Sequence, residues 1–228
     1  IEEINMKNIL LIGGSYGIGL AIAKEIESGN NVFVASRTNE NLEDLNVTHI
    51  PFDALNDTLD LSTLPAVIDG LVYCPGSINL RPFRGLKPEA FENDLQINFI
   101  SLVKVIQSIL PNLTASEQSS IVLFSSVAAS MGMPFHTSVA ASKGAIEGFA
   151  KALAAEYAPK IRVNVIAPSL TDTPLADKFL NNETKQEKSA ERHPLKRFGK
   201  ADDIAHVASF LLSDKGSWIS GQTFNVDG

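Results

Sequence analysis

Short apolar runs set off by glycines, prolines and polar clusters give this chain its pattern. Residues 8–12, 32–35, 49–52, 70–74, 121–124, 163–167 and 223–226 are brief apolar stretches bounded by turn residues, which predicts seven buried strands. Helix-length segments lie between them. Residues 20–26 show helical spacing up to Gly29, a residue suited to a helix end. Phe91, Leu95, Phe99, Leu102, Val103, Ile106 and Leu110 recur at helical spacing as far as Pro111, which cannot continue the hydrogen-bond ladder, so one long amphipathic helix is expected to stop there. Further helices are expected over about 138–157 and 202–212. Strands alternating with helices imply parallel pairing through right-handed crossovers, hence an α/β fold: a doubly wound parallel seven-stranded sheet with helices on both faces.

One stretch breaks the alternation. Residues of about 171–200 are rich in Lys, Glu, Asn and Asp, with scattered apolar positions such as Leu175, Phe179 and Leu180, and predict a lid-like loop-and-helix excursion. Otherwise 228 residues, 44% hydrophobic and 20% charged, suffice for one large core and are short for two, so a single domain over 1–228 is expected. Ile1 to Asn5 add nothing to the pattern, and two readings stay open: a remnant ahead of a native start at Met6, or native residues.

The charge narrows the class of partner. A net charge of −7 argues against nucleic acid and against anionic membranes, either of which favours a basic surface, and points to a small-molecule ligand. No apolar run reaches the roughly 18–20 residues of a bilayer span, and no basic segment followed by an apolar core opens the chain, so the cytoplasm is the expected location. Cys74 is the only cysteine, which excludes an internal disulfide and reads as a small buried hydrophobe. No metal site is expected, because no cysteine or histidine cluster has ligand spacing.

Candidate chemistry gathers at the carboxyl ends of the expected strands. Gly13, Gly17 and Gly19 fill the turn between the first strand and the first helix, where bare backbone can approach a pyrophosphate and the helix amino terminus can stabilise its charge. After the second strand come Ser36, Arg37 and Thr38. An acidic residue there would suit the adenosine ribose of NAD, whereas the Arg37 guanidinium suits the 2′-phosphate of NADP, so NADP(H) is preferred over NAD(H).

Three segments together resemble the short-chain dehydrogenase/reductase family: the loop Gly13-Gly14-Ser15-Tyr16-Gly17-Ile18-Gly19, the pair Ser125-Ser126, and Ser138-Val139-Ala140-Ala141-Ser142-Lys143. The likeness runs on through Arg192 to Gly199 and into the closing segment Gly221 to Gly228. It implies a Rossmann-like fold, an oxidoreductase and a nicotinamide cofactor. By that resemblance Gly13, Ser15, Tyr16, Gly17, Ile18 and Gly19 hold the pyrophosphate end, Ser36, Arg37 and Thr38 the ribose, and Asp53 with Ala54 the adenine. A helix cap is the plainer reading of Asp53. Gly76, Lys143, Pro168 and Thr173 would contact the nicotinamide half. Ile12 stands where the family has threonine, Tyr73-Cys74-Pro75-Gly76 keeps only the glycine of Asn-Asn-Ala-Gly, and Ser169 replaces the glycine of Pro-Gly-x-x-x-Thr.

The catalytic set implied by the resemblance is a serine, a tyrosine, a lysine and an asparagine. Ser126, Lys143 and Asn98 supply three. Counting thirteen on from Ser126 and four back from Lys143 both land on Val139, whose side chain has no proton to exchange. His136, seven residues before Lys143, is the candidate replacement donor, as is the Ser138 hydroxyl; solvated histidine, a strand-end hydroxyl for Ser126 and a chain-end cap for Asn98 are the plainer alternatives. The expected function is hydride transfer between NADP(H) and a small carbonyl, alcohol or enoyl substrate. The alternatives are a catalytically silent NADP(H)-binding protein or regulatory subunit, and an engineered tyrosine-to-valine variant. Assembly as a homodimer or homotetramer through the helices carrying Asn98 and Lys143 is a further implication of the resemblance.

Overall fold

The computed structural model describes residues 6–228. Ile1 to Asn5, for which two readings were open, lie outside the described residues. Seven strands form one sheet: β1 (Lys7–Ile12), β2 (Asn30–Ser36), β3 (Val47–Pro51), β4 (Gly70–Tyr73), β5 (Ser119–Phe124), β6 (Ile161–Pro168) and, after a separate pair, β9 (Thr223–Val226). Their order is β3-β2-β1-β4-β5-β6-β9 and every pairing is parallel. The order reverses between β1 and β4, so the sheet winds outward in two directions and the carboxyl ends of all seven strands share one edge.

Strand geometry explains why the runs are apolar throughout. Successive side chains point to opposite faces. Leu10, Ile12, Leu71, Tyr73, Ile121, Leu123, Val163 and Val165 enter one buried layer, while Ile9, Leu11, Val32, Val34, Val72, Val122 and Ile166 enter the other. The first layer is covered by α3 (Ser101–Ala115), through Leu102, Val105, Ile106, Ile109 and Leu113, and by α5 (Thr137–Tyr157), through Ile146, Ala150, Leu153 and Ala154. The second is covered by α1 (Gly17–Ile26) and α8 (Ala201–Leu212). This is the expected Rossmann-like doubly wound sheet.

Three local expectations need correction. The long helix does not stop at Pro111: α2 (Pro88–Leu95), a π-helical turn (Gln96–Ile100) and α3 run on to Ala115 with Pro111 inside. A proline near the end of a helix removes only its own N–H, and Asn112 and Thr114 fasten the last turn, Asn112 Nδ2 donating to the Pro65 carbonyl at 2.9 Å and Thr114 Oγ1 to the Leu110 carbonyl at 3.0 Å. The resulting run Pro88–Ala115 is by length and composition apolar enough to cross a bilayer, yet its stripe packs on the sheet. Finally, the crossovers after β2 and β3 carry no α-helix; a 3₁₀ turn (Glu40–Leu42) and side-chain-capped turns replace it. The first has too few residues between its strands, and in the second Asp53, Asp60 and Ser62 pull the backbone into local turns.

The excursion is pinched at its base. β7 (Thr171–Asp172) pairs with β8 (Gly199–Lys200), and between them stand α6 (Asp177–Leu180) and α7 (Glu183–Arg192). Its far end is fixed to α8 by Arg197, whose two amino groups donate to the two Asp203 oxygens at 2.6 and 2.8 Å. That pairing holds the Asp203 carboxyl down at about 2, and the same side chain caps Lys200 N at the helix start.

Candidate active site

The glycine turn is shaped by what its residues lack. Gly13 and Gly17 sit at φ +79° and +52°, in the left-handed region that a Cβ disfavours. A Cβ on Gly19 would stand 2.3 Å from the Gly13 carbonyl oxygen, and one on Gly17 would stand 3.2 Å from Thr173 Cβ. The first contact lets α1 seat directly against the turn, and the second brings the post-β6 segment over it. Ser15 is buried and receives Thr38 Oγ1 at 3.4 Å, while Asn41 Nδ2 donates to the Ser15 carbonyl at 3.1 Å. Ser36 Oγ donates to the Thr38 carbonyl at 2.8 Å, with the His49 ring within 3.2 Å. The turn is thus tied to the end of β2, and Ile18 opens α1 behind it. Tyr16 and Arg37 point into solvent at the rim, Tyr16 being 47% exposed.

Asp53 spends its carboxylate on its own turn. It accepts Leu55 N at 3.0 Å and Asn56 Nδ2 at 3.0 Å, and those hydrogen bonds, with a smaller contribution from the Arg37 charge, hold its carboxyl below the usual range. Ala54, its neighbour, is half-buried within the same turn.

Across the sheet reversal a second cluster is fully assembled. The π-helical turn places Asn98, 0% exposed, against Gly76, where a Cβ would lie 3.0 Å from Asn98 Oδ1 and 3.3 Å from Lys143 Nζ. Gly76 is therefore the only kind of residue that lets these two side chains approach one strand end. Lys143 Nζ donates to the Phe124 carbonyl at 2.9 Å. Burial pushes the Lys143 ammonium down to about 8, partly offset by Cys74 and Asp94 nearby. Burial likewise pushes the Cys74 thiol up to about 12, in keeping with an inert small side chain. Ser126, just past β5, accepts Ala128 N at 3.2 Å, and Val127 N donates to the Pro168 carbonyl at 3.2 Å, stitching the ends of β5 and β6 together.

Comparison with known proteins places this architecture. Residues 13–228 match the family model described as enoyl-(acyl carrier protein) reductase. The chain belongs to the short-chain dehydrogenase/reductase family. It is 31% identical over 240 residues to a 3-oxoacyl-[acyl-carrier-protein] reductase of Thermotoga maritima, covering 97% of this chain and 96% of that one. It is 30% identical over 246 residues to the human dehydrogenase/reductase SDR family member 4, covering 100% of this chain and 88% of that protein. Among solved structures, the ligand-free aldohexose dehydrogenase of Thermoplasma acidophilum superposes with a TM-score of 0.89 at 26% identity, over 99% of this chain and 94% of that one. Short-chain dehydrogenase/reductases are oxidoreductases that use nicotinamide cofactors on small substrates.

Val139 is 5% exposed and lies one helical turn before Lys143 on the same face of α5. His136 stands immediately before α5 without capping it through its side chain, and its Nδ1 contacts the Pro134 carbonyl at 2.7 Å; no hydrogen bond links it to Ser126 or Lys143 among the described residues. The plainer reading of Ser126 as a strand-end hydroxyl and of Asn98 as a chain-end cap both have counterparts here, since Asn98 Oδ1 accepts Ser77 N at 3.1 Å.

Sequence reasoning missed the carboxylate that organises this cluster. Asp94 is 3% exposed and accepts hydrogen bonds from Ser77 Oγ at 2.6 Å and from Ser138 Oγ, while Asn98 Nδ2 donates to the Asp94 carbonyl at 2.9 Å and to Ser142 Oγ at 3.0 Å. Ser138 therefore faces α2 and not the cleft. The signal was present in the spacing: Asp94 with Asn98, and Ser138 with Ser142, are two polar pairs each one helical turn apart.

Proposed function

We propose that this short-chain dehydrogenase/reductase is an NADP(H)-dependent oxidoreductase acting on a small carbonyl, alcohol or activated alkene. The observation that carries the reading is the glycine cradle. Added Cβ atoms at Gly13, Gly17 and Gly19 would fill space within 3.2 Å of Pro75, Thr173 and the Gly13 carbonyl, so the chain keeps bare backbone where a pyrophosphate needs close approach. In this reading the amides of Ser15 to Gly19 hold the diphosphate, Arg37 selects the 2′-phosphate, and Lys143 and Thr173 position the nicotinamide half. A bound nicotinamide supplies or takes up the hydride at its C4. Ser126 orients the substrate oxygen, and Asn98 holds the π-helical turn against Gly76 and the Ser77 amide. The same reading includes pairing of two or four copies through the helices that carry Asn98 and Lys143.

The absent phenol at Val139 favours one second reading, a silent NADP(H)-binding protein. Titration of NADPH against NADH by nucleotide fluorescence, followed by absorbance at the reduced-nicotinamide band across aldehydes, ketones, alcohols and enoyl thioesters, separates the two. The enzyme reading expects tighter NADPH binding and substrate-dependent turnover. The silent reading expects binding alone, with Val139→Tyr raising turnover by a factor of about 10²–10⁴, the usual contribution of a general acid.

A further inference from the structure

Hydride transfer to or from a carbonyl carbon leaves an oxygen that must take up or give away a proton. Val139 exchanges none, Lys143 Nζ donates to the Phe124 carbonyl, and His136, with Nδ1 on the Pro134 carbonyl, makes no hydrogen bond to Ser126 or Lys143 among the described residues. A different pair stands at the same sheet edge. Ser169 Oγ lies 2.8 Å from His193 Nε2, and His193 Nδ1 lies 2.7 Å from the Ser189 carbonyl. A carbonyl only accepts, so Nδ1 carries the ring proton, Nε2 is the acceptor, and the Ser169 hydroxyl donates to it. That is a serine hydroxyl bonded to an imidazole whose tautomer and orientation are fixed from behind.

The placement is as specific as the bonding. Phe124 pairs with Ile166 in the β5–β6 register, Ser125 N donates to the Ile166 carbonyl at 2.8 Å and Val127 N to the Pro168 carbonyl, so Ser126 and Ser169 both lie just past the carboxyl ends of these adjacent parallel strands, and Ser169 N donates to the Val226 carbonyl at 3.1 Å. Four residues after Ser169, Thr173 packs on the glycine turn. His193 is 8% exposed at the end of α7, with Gly228 against its ring edge. Ser169 is half-buried just past the carboxyl end of β6.

We propose that Ser169 and His193 form the proton relay of this enzyme. The inference rests on the oxidoreductase reading above. In the direction of alcohol oxidation, the alcohol carbon gives its hydride to oxidised NADP, which is reduced, and the C=O bond forms. The alcohol proton passes to Ser169 Oγ as the Ser169 proton passes to His193 Nε2, giving an imidazolium that keeps its Nδ1–H bond to Ser189. Carbonyl reduction runs the same path backwards, consuming that proton, and solvent reloads the ring through Ser169 when the cleft is open.

The test compares Ser169→Gly, Ser169→Ala, His193→Gln and His193→Gly with wild type, using 2,3-butanedione and a panel of secondary alcohols as probes. The relay expects kcat to fall by a factor of about 10²–10⁴ with KM and the NADPH Kd unchanged, and free imidazole to restore turnover to His193→Gly. In ¹⁵N NMR of histidine-labelled protein without substrate, it expects an Nδ1–H tautomer at His193 whose Nε2 resonance moves in Ser169→Gly. Ser169→Gly introduces the glycine usual at this place in the family and so keeps the variant set informative if His193 is needed for folding. Unchanged kcat in the serine variants, loss of NADPH binding in step with activity, or a wild type that binds NADPH but consumes none on any probe overturns the relay. Failure of wild type to bind either nucleotide overturns instead the reading beneath it.

Discussion

The two halves of the cleft are built on different physics. On the β1–β2 side the chain makes space: glycines at positive φ and at sub-van-der-Waals approach leave amides bare, and the polar groups that tie the turn down, Ser15, Ser36, Thr38 and Asn41, bond mostly to backbone. On the β5–β6 side the chain fills space: Asp94, Asn98, Ser138 and Ser142 are all at most 3% exposed and satisfy one another side chain to side chain. The first half depends on atoms that are absent and the second on partners that are present. Substitutions should therefore harm the first by addition and the second by removal.

The sharpest break of the first half is Gly19→Val. Its Cβ meets a backbone oxygen at 2.3 Å, which cannot move as a flexible side-chain end could. Overpacking of about 3 kcal/mol or more would cost over a hundredfold in NADPH affinity, and calorimetry reads it directly. Gly144→Ala, on the exposed face of α5 with nothing within 4 Å, is the contrast, and should raise stability by up to about 1 kcal/mol through helix propensity.

The second half breaks by deletion. Asp94→Ala strands the Ser77 and Ser138 hydroxyls and should lower unfolding free energy by roughly 1–3 kcal/mol in denaturant titration, while NADPH affinity changes less than about threefold. Equal losses in both would merge the two halves into one.

Lys143 joins the halves and carries a pH signature. Its folded-state value of about 8 lies below the 10.5 of the free side chain, so below pH 8 the buried charge costs stability in full, and the cost is relieved as pH rises from about 8 through 10.5, where the unfolded chain binds more protons. Wild type should thus gain stability relative to Lys143→Met across that window. A difference that stays flat with pH would remove the buried charge from the account.

Legibility in the sequence followed the same division. The strands and the glycine turn were readable because period and spacing encode them, and the last strand appears at residues 223–226 as expected. The helix run past Pro111 was not, because the proline's effect is set by what fastens the following turn. Nor was the crossover after β3, where short-range side-chain bonds outweigh a helix-length gap. Asp94 was missed because a lone carboxylate in a helix reads as solvated until its partners arrive from residues 77 and 138. The Ser169–His193 contact joins segments 24 residues apart in the chain and has no local pattern at all.

A smaller loss of NADPH affinity is expected at the rim. Arg37 is exposed, so Arg37→Ala should weaken NADPH by about tenfold, leave NADH unchanged, and do so less at high salt. A loss shared by both nucleotides would place the guanidinium elsewhere than on a 2′-phosphate.

The most direct measurement for the whole account is calorimetric titration of the wild-type protein with NADPH and with NADH. A cradle made by Gly13, Gly17 and Gly19 predicts saturable one-site heat with NADPH, weaker with NADH, and none for Gly19→Val with either. Wild-type protein that gives no heat with either nucleotide would contradict it.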